Sequence, residues 1–238
     1  MIAIATALIG AIAPMCMPVA GASAFWQPQV RWVIVGETHG TNEAPDAFAD
    51  LVCLAARTGR PVTVALEYSS DDQVAIDAYL ASDGSAQAQA ALLRLFLFSS
   101  KTQDGRGSVA FLRLWEKLRL MKRAGTISGV VAFDVGRSTP EGQERNAAMA
   151  INWTAIEAPA KGIIIALVGN LHAMRKPILI GDRTITPAAS LMPAQRTITV
   201  DIDGNGGKAW NCQDDGCAPR QRYRPPGRSR YRVFDRCR

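Results

Sequence analysis

The stretch Val33-Ile34-Val35-Gly36-Glu37-Thr38-His39-Gly40-Thr41-Asn42-Glu43 decides how this chain is read. Its first three residues are β-branched and apolar, the composition of a buried strand. Gly36 opens a turn that carries Glu37, Glu43 and His39, one of two histidines in 238 residues. The other histidine sits in a matching place. Residues 163–168 form a second apolar run, followed by Gly169-Asn170-Leu171-His172. Two further runs end on acids, residues 62–66 on Glu67 and residues 129–133 on Asp134.

Helical patterns fill the intervals. Residues 44–57 place Phe48, Leu51, Val52, Leu54 and Ala55 at helical spacing, and Thr58-Gly59-Arg60-Pro61 closes that helix. Ser70-Asp71-Asp72 can cap a helix to about Leu80, and residues 86–98 read as one helix. Residues 109–123 form the most amphipathic segment, with Phe111, Leu114, Trp115, Leu118 and Met121 on one face. Another helix starts near Thr139-Pro140 and runs past Trp153. Residues 187–191 and 196–200 are expected as late strands, with an antiparallel direction open to them. This alternation predicts a three-layer α/β fold, a mostly parallel sheet with helices on both faces, in residues 25–212. A disordered Arg-rich tail, residues 213–238, is expected to follow, tied to the body by a disulfide.

Residues 1–24 have the form of an export signal: an apolar run at 2–12, then Ala22-Ser23-Ala24 as a small-x-small cleavage site. That pattern points to a periplasmic or secreted protein. Removal of the signal leaves Cys53, Cys212, Cys217 and Cys237. Four cysteines allow two disulfides in three pairings. Cys212 with Cys217 would clip a local loop, and Cys53 with Cys237 would then tie the tail to the body.

The net charge of +6 is unevenly placed. Residues 218–238 hold eight arginines and one acid, Asp235, which leaves the rest of the chain near neutral. The charge excludes a broad basic face, so no specific nucleic-acid partner is expected. The tail itself could meet an anionic membrane surface.

Ligands of parallel α/β sheets bind outside the carboxyl ends of the strands. Glu37 with His39, Glu67, Asp134, and Asn170 with His172 all fall there. The set Gly36-Glu37-Thr38-His39, Glu43, strand-end Glu67, Glu144-Arg145-Asn146-Ala147-Ala148-Met149-Ala150 and Gly169-Asn170-Leu171-His172 resembles the TraB/Tiki, ChaN and erythromycin-esterase-like superfamily. The likeness covers about residues 30–175 in order. Asp104-Gly105-Arg106 is similar to the polar loop before a long helix in those proteins. The resemblance implies one of several activities: metal-dependent proteolysis, ester hydrolysis or haem binding. The Gly-Glu-x-His spacing is closer to the Tiki and ChaN branches.

A histidine beside carboxylates can deprotonate water, and an opposing Arg can stabilise an oxyanion. The expected hydrolase cleaves an ester or amide in a small-molecule or peptide substrate. Its base is His39, oriented by Glu43 and Glu67, with Arg145 as oxyanion stabiliser and His172 as acid. Glu37, Asp104, Arg106 and Asn170 would contact substrate. His39, Glu43, Glu67 and His172 could equally hold one divalent metal and activate its water. In the alternative ChaN-like reading, haem would take Tyr68 or His39 as axial ligand. No Gly-x-Ser-x-Gly elbow occurs, so a serine nucleophile is not expected.

Overall fold

The computed structural model describes residues 16–101, 104–136, 143–202, 208–213, 215–221 and 231–233. Its elements run β1 (Trp32–Glu37), α1 (Glu43–Ala56), β2 (Val62–Ser69), α2 (Gln73–Ala81), α3 (Ala86–Leu92), α4 (Phe96–Ser99) and α5 (Val109–Arg123). They continue with β3 (Gly129–Asp134), α6 (Gln143–Ala155), β4 (Ile163–Gly169), α7 (Asn170–Ala173), β5 (Ile178–Ile180) and β6 (Arg183–Ile185). Last come β7 (Thr197–Ile202), β8 (Lys208–Gln213), β9 (Gly216–Gln221) and β10 (Tyr231–Val233).

The main sheet has the order β10-β7-β1-β4-β2-β3. Five of these strands are parallel, and β10 is the antiparallel edge. The period-2 alternation of β1 explains the layering. Val33 and Val35 face a core shared with Phe48, Leu51, Leu114, Trp115 and Leu118 from α1 and α5. Trp32 and Ile34 face the opposite core, with Met149 and Trp153 of α6. The indole N–H of Trp32 also donates to the Trp153 carbonyl at 3.1 Å, fastening α6 to the sheet. The stripe on α5 is core packing, and Ser108 caps its N-terminus by accepting from the Phe111 N–H.

Several expectations change. The helical stretch at 86–98 is two helices, because Leu95 leaves the helix with ψ 147°. Residues 188–191 form a 3-10 turn, not a strand; Ala188 and Ala189 are small enough to bury against α6. The strand at 197–202 is parallel to β1, register-matched from Trp32↔Thr197 to Glu37↔Ile202. The hairpin β8–β9 straddles the expected 212/213 boundary and is clipped by Cys212–Cys217. Residues 222–230 and 234–238 of the Arg-rich tail lie outside the described residues, as does Cys237.

Cys53 pairs with Cys16, not with the tail. The reason lies in the packing of the segment before β1. Ala22 and Phe25 are buried in the α1-side core, and the Met17 amide donates to Asp50 on α1 at 3.0 Å. The Ala22-Ser23-Ala24 site is therefore part of the folded body, and Cys16 stands upstream of it. No described helix is long and apolar enough to cross a membrane.

Candidate active site

The carboxyl ends of β1, β2 and β4 open on a cavity of about 370 Å³. It is lined by Glu37, Thr38, His39, Glu67, Asp104, Arg106, Arg145, Gly169, Asn170, Leu171, His172 and Asn211. Each strand delivers its polar group at the point where its ladder stops. There the backbone turns away, and a side chain can leave the sheet without breaking the pairing.

Glu67 is the centre. It is 3% exposed, and both oxygens are engaged. Oε1 accepts from Arg145 Nη2 at 2.7 Å and lies 3.1 Å from Arg106 Nη1. Oε2 accepts the Gly169 amide at 2.7 Å. The two histidines flank it: His39 Nε2 is 3.6 Å from Oε2, and His172 Nε2 is 3.9 Å from Oε1. Imidazoles from segments 133 residues apart thus share one carboxylate. Gly169 stands between them; a Cβ there would come within 3.1 Å of His39 Nε2. Burial opposes the charge on Glu67, but the two guanidiniums and the two imidazoles prevail, holding its pKa far below the usual carboxylate range.

His39 is oriented from behind. Its Nδ1 bonds Glu37 Oε1, and Glu37 is buried at the end of β1. Burial works against a charged ring, yet Glu37 and Glu67 outweigh it and raise the His39 pKa above the ordinary imidazole value. His172 goes the other way. Burial lowers its pKa, and Glu67 only partly opposes that. Its Nδ1 meets Asn146 Oδ1 at 2.7 Å, and its Nε2 meets Arg145 Nη1 at 3.2 Å.

Two arginines come from different layers. Arg145, on α6, donates Nε and Nη2 to Asp134 at 3.0 and 2.6 Å, besides its bonds to Glu67 and His172. Arg106 donates Nε and Nη2 to Asp104, and Nη1 to the Glu67 carbonyl. A guanidinium has five N–H donors. Four of those on Arg145 are used among the described residues, leaving one on Nη1.

Of the sequence-derived candidates, the structure assembles Glu37, His39, Glu67, Asp104, Arg106, Arg145, Asn170 and His172 around one cavity. Glu43 is not there. It is the first residue of α1 and is exposed. The one-turn pairing with His39 fails because the helix starts at Glu43, so His39 lies before it. Glu37 takes the orienting place. Three contributors had no assigned role in the sequence reading: Asp134, Asn146 and Asn211. Asp134 was visible as a strand-end acid. Asn146 follows Arg145 directly. Asn211 carries no local signal; β8 brings it in from far along the chain, with the Trp210 amide donating to the Gly40 carbonyl at 3.0 Å.

A divalent cation does not fit these donors. Both oxygens of Glu67 are occupied, His39 Nδ1 is held by Glu37, and His172 Nε2 faces a guanidinium. A cation beside Glu67 would sit against two fixed positive charges. Haem does not fit either. Among the described residues, Leu171 is the one large aliphatic side chain in the lining. Tyr68 is buried against Trp115, Phe98 and Phe111, with its hydroxyl donated to the Arg106 carbonyl at 2.6 Å.

No protein-family model matches the chain, and no curated protein does. Solved structures do. Over 84% of this chain and 78% of the other, at 12% identity, the fold superimposes on a mutant of the erythromycin esterase EreC in its open conformation, with a TM-score of 0.65. The fold is similar to that of an erythromycin esterase. A second likeness, at 13% identity and TM-score 0.52, is to the C-terminal region of Pasteurella multocida toxin, described as having a thiol-protease-like catalytic triad. It covers 89% of this chain and 27% of that one.

Proposed function

We propose that this chain is a hydrolase in which His39 is the general base and Arg145 the oxyanion donor, acting on an ester or amide carbonyl. One observation carries the proposal. His39 is fixed at Nδ1 by a buried carboxylate, and its Nε2 edge borders a polar cavity that two guanidiniums line. Glu37 accepts the Nδ1 proton, which leaves the Nε2 lone pair for a water hydrogen. Water then attacks the carbonyl carbon as its proton passes to Nε2. The remaining N–H on Arg145 Nη1 donates to the developing oxyanion. Collapse of the tetrahedral intermediate expels the alcohol or amine, and the His39 imidazolium returns its proton to that leaving group. Atoms and charge balance with no covalent intermediate.

The fold shared with an esterase supports the same reading, as does the cavity's place at the carboxyl ends of parallel strands. The two disulfides support assembly in an oxidising compartment, periplasmic or extracellular. The test is a panel of p-nitrophenyl esters and peptide amides with the purified protein and its His39→Ala variant. Turnover should fall by about 10² or more in His39→Ala, the range general-base catalysis supplies, with the circular dichroism spectrum of the folded protein retained. Equal turnover in the two proteins would sink the proposal.

A further inference from the structure

We propose that Asn146 fixes His172 as the neutral Nδ1–H tautomer, so that His172 serves as a hydrogen-bond acceptor that positions Arg145 rather than as an acid. This rests on the reading of Arg145 given above.

Asn146 is 5% exposed and sits one residue after Arg145 on α6. One carboxamide atom faces the Ala188 amide at 3.0 Å. A backbone N–H can only donate, so the atom facing it is the oxygen. That same oxygen faces His172 Nδ1 at 2.7 Å. An amide oxygen only accepts, so Nδ1 carries a proton. The other ring nitrogen, Nε2, faces Arg145 Nη1 at 3.2 Å. A guanidinium has no acceptor, so Nε2 must present its lone pair. With a proton on Nδ1 and none on Nε2, the ring is uncharged.

The surroundings agree. Glu67 Oε1, at 3.9 Å from Nε2, and Asp134 favour a charged ring, whereas Arg145, His39 and burial oppose it. The 3-10 turn Ala188–Leu191 supplies the first link of the relay, which runs Ala188 to Asn146 to His172 to Arg145. Among the described residues, Nη1 is the Arg145 nitrogen left with an N–H to spare. A lone pair at His172 Nε2 takes its other N–H, adding a fourth bond to those from Asp134 and Glu67 that hold the group.

The chain has two histidines, so long-range ¹H–¹⁵N spectra of the full-length protein contain two imidazoles, assigned with His39→Gln. At pH 7 the His172 ring should show a protonated-type Nδ1 and an unprotonated-type Nε2. An Nε2–H tautomer or an imidazolium there would overturn the proposal. Asn146→Leu should release the ring to a mixture of tautomers. Asn146→Asp, which accepts the same two bonds but adds a charge, should move the titration of His172 to higher pH. An unchanged His172 signature in Asn146→Leu, or in Asn146→Asp should the Leu variant fail to fold, refutes the role of Asn146. Turnover of an ester found active in the panel should fall by about 10² in Asn146→Asp through kcat, the cost of displacing a catalytic group by about 1 Å. Correct spectra with no turnover in the wild-type protein would count against the hydrolase reading and leave the tautomer assignment standing.

Discussion

Arg145 Nη2 lies 2.7 Å from Glu67 Oε1, a bond that joins the helical layer to the end of a central strand. Glu67 also holds Arg106 and the Gly169 amide, so one carboxylate unites β2, β4, α6 and the loop before α5. Removing it leaves two guanidiniums facing each other across a buried gap. Glu67→Leu should cost roughly 3–5 kcal/mol of stability, the cost of stranding a buried charge. Urea unfolding measures it; a loss under about 1 kcal/mol would contradict the shared-carboxylate picture.

The same residue sets an acid limit. Its folded pKa is depressed, so its contribution is complete above the unfolded value, about 4.3. It is lost as pH falls towards the folded value. Stability measured from pH 6 down to pH 3 should decline more steeply in the wild-type protein than in Glu67→Gln. Parallel curves would contradict this.

His39 titrates in the opposite sense. Its folded pKa is raised, so the stability of the His39–Glu37 pair is present below the unfolded value, about 6.5. It disappears as pH rises through the folded one. Catalysis needs the neutral ring, so kcat/KM should climb with pH across that raised pKa. Glu37→Gln removes the charge that holds the proton. Its acid limb should shift to lower pH, and its rate should drop about tenfold or more. A limb that stays in place would separate Glu37 from the base.

Cys16–Cys53 and cleavage after Ala24 are mutually exclusive arrangements. Non-reducing peptide mapping should find the cross-linked Cys16 and Cys53 peptides. Cys16→Ser should lower stability by roughly 2–4 kcal/mol, the usual worth of a disulfide closing a loop of this order. A mature chain that starts at Phe25 with a free Cys53 thiol would show that the folded segment at 16–24 is discarded.

Strands β1 to β4 were legible because each is a short apolar run with Gly, Glu or Asp at its end, whereas β10 lies in the stretch read as a disordered tail and joins the sheet as its antiparallel edge. Periodicity placed the helices and topology placed their ends. The strand-end acids and both histidines of the cavity followed from that rule, whereas Asp104, Arg106 and Arg145 were placed there by the family resemblance. What escaped depends on contacts that no local pattern encodes. Cys53 has two potential partners at opposite ends of the chain, and only the burial of Ala22 and Phe25 selects Cys16. Asn211 reaches the site because Gly40, at φ +87°, lets β8 lie against the turn that carries His39. A Cβ there would strike the Trp210 carbonyl at 2.0 Å. Register between a turn and a distant hairpin is a tertiary fact.

Glu43 and Glu37 offer the sharpest contrast between spacing and geometry. Four residues separate His39 from Glu43, the distance of one helical turn, but the helix begins only at Glu43. Its carboxylate therefore lies in the first turn of α1, where it meets the positive end of the helix dipole in solvent. Glu43→Ala should cost about 0.3–1 kcal/mol of stability and leave kcat/KM within about twofold, as an exposed substitution away from the site does. Parallel assays of Glu43→Ala and Glu37→Gln on one ester decide the matter. A loss in Glu43→Ala as large as that in Glu37→Gln would mean that His39 turns towards α1 in the working enzyme.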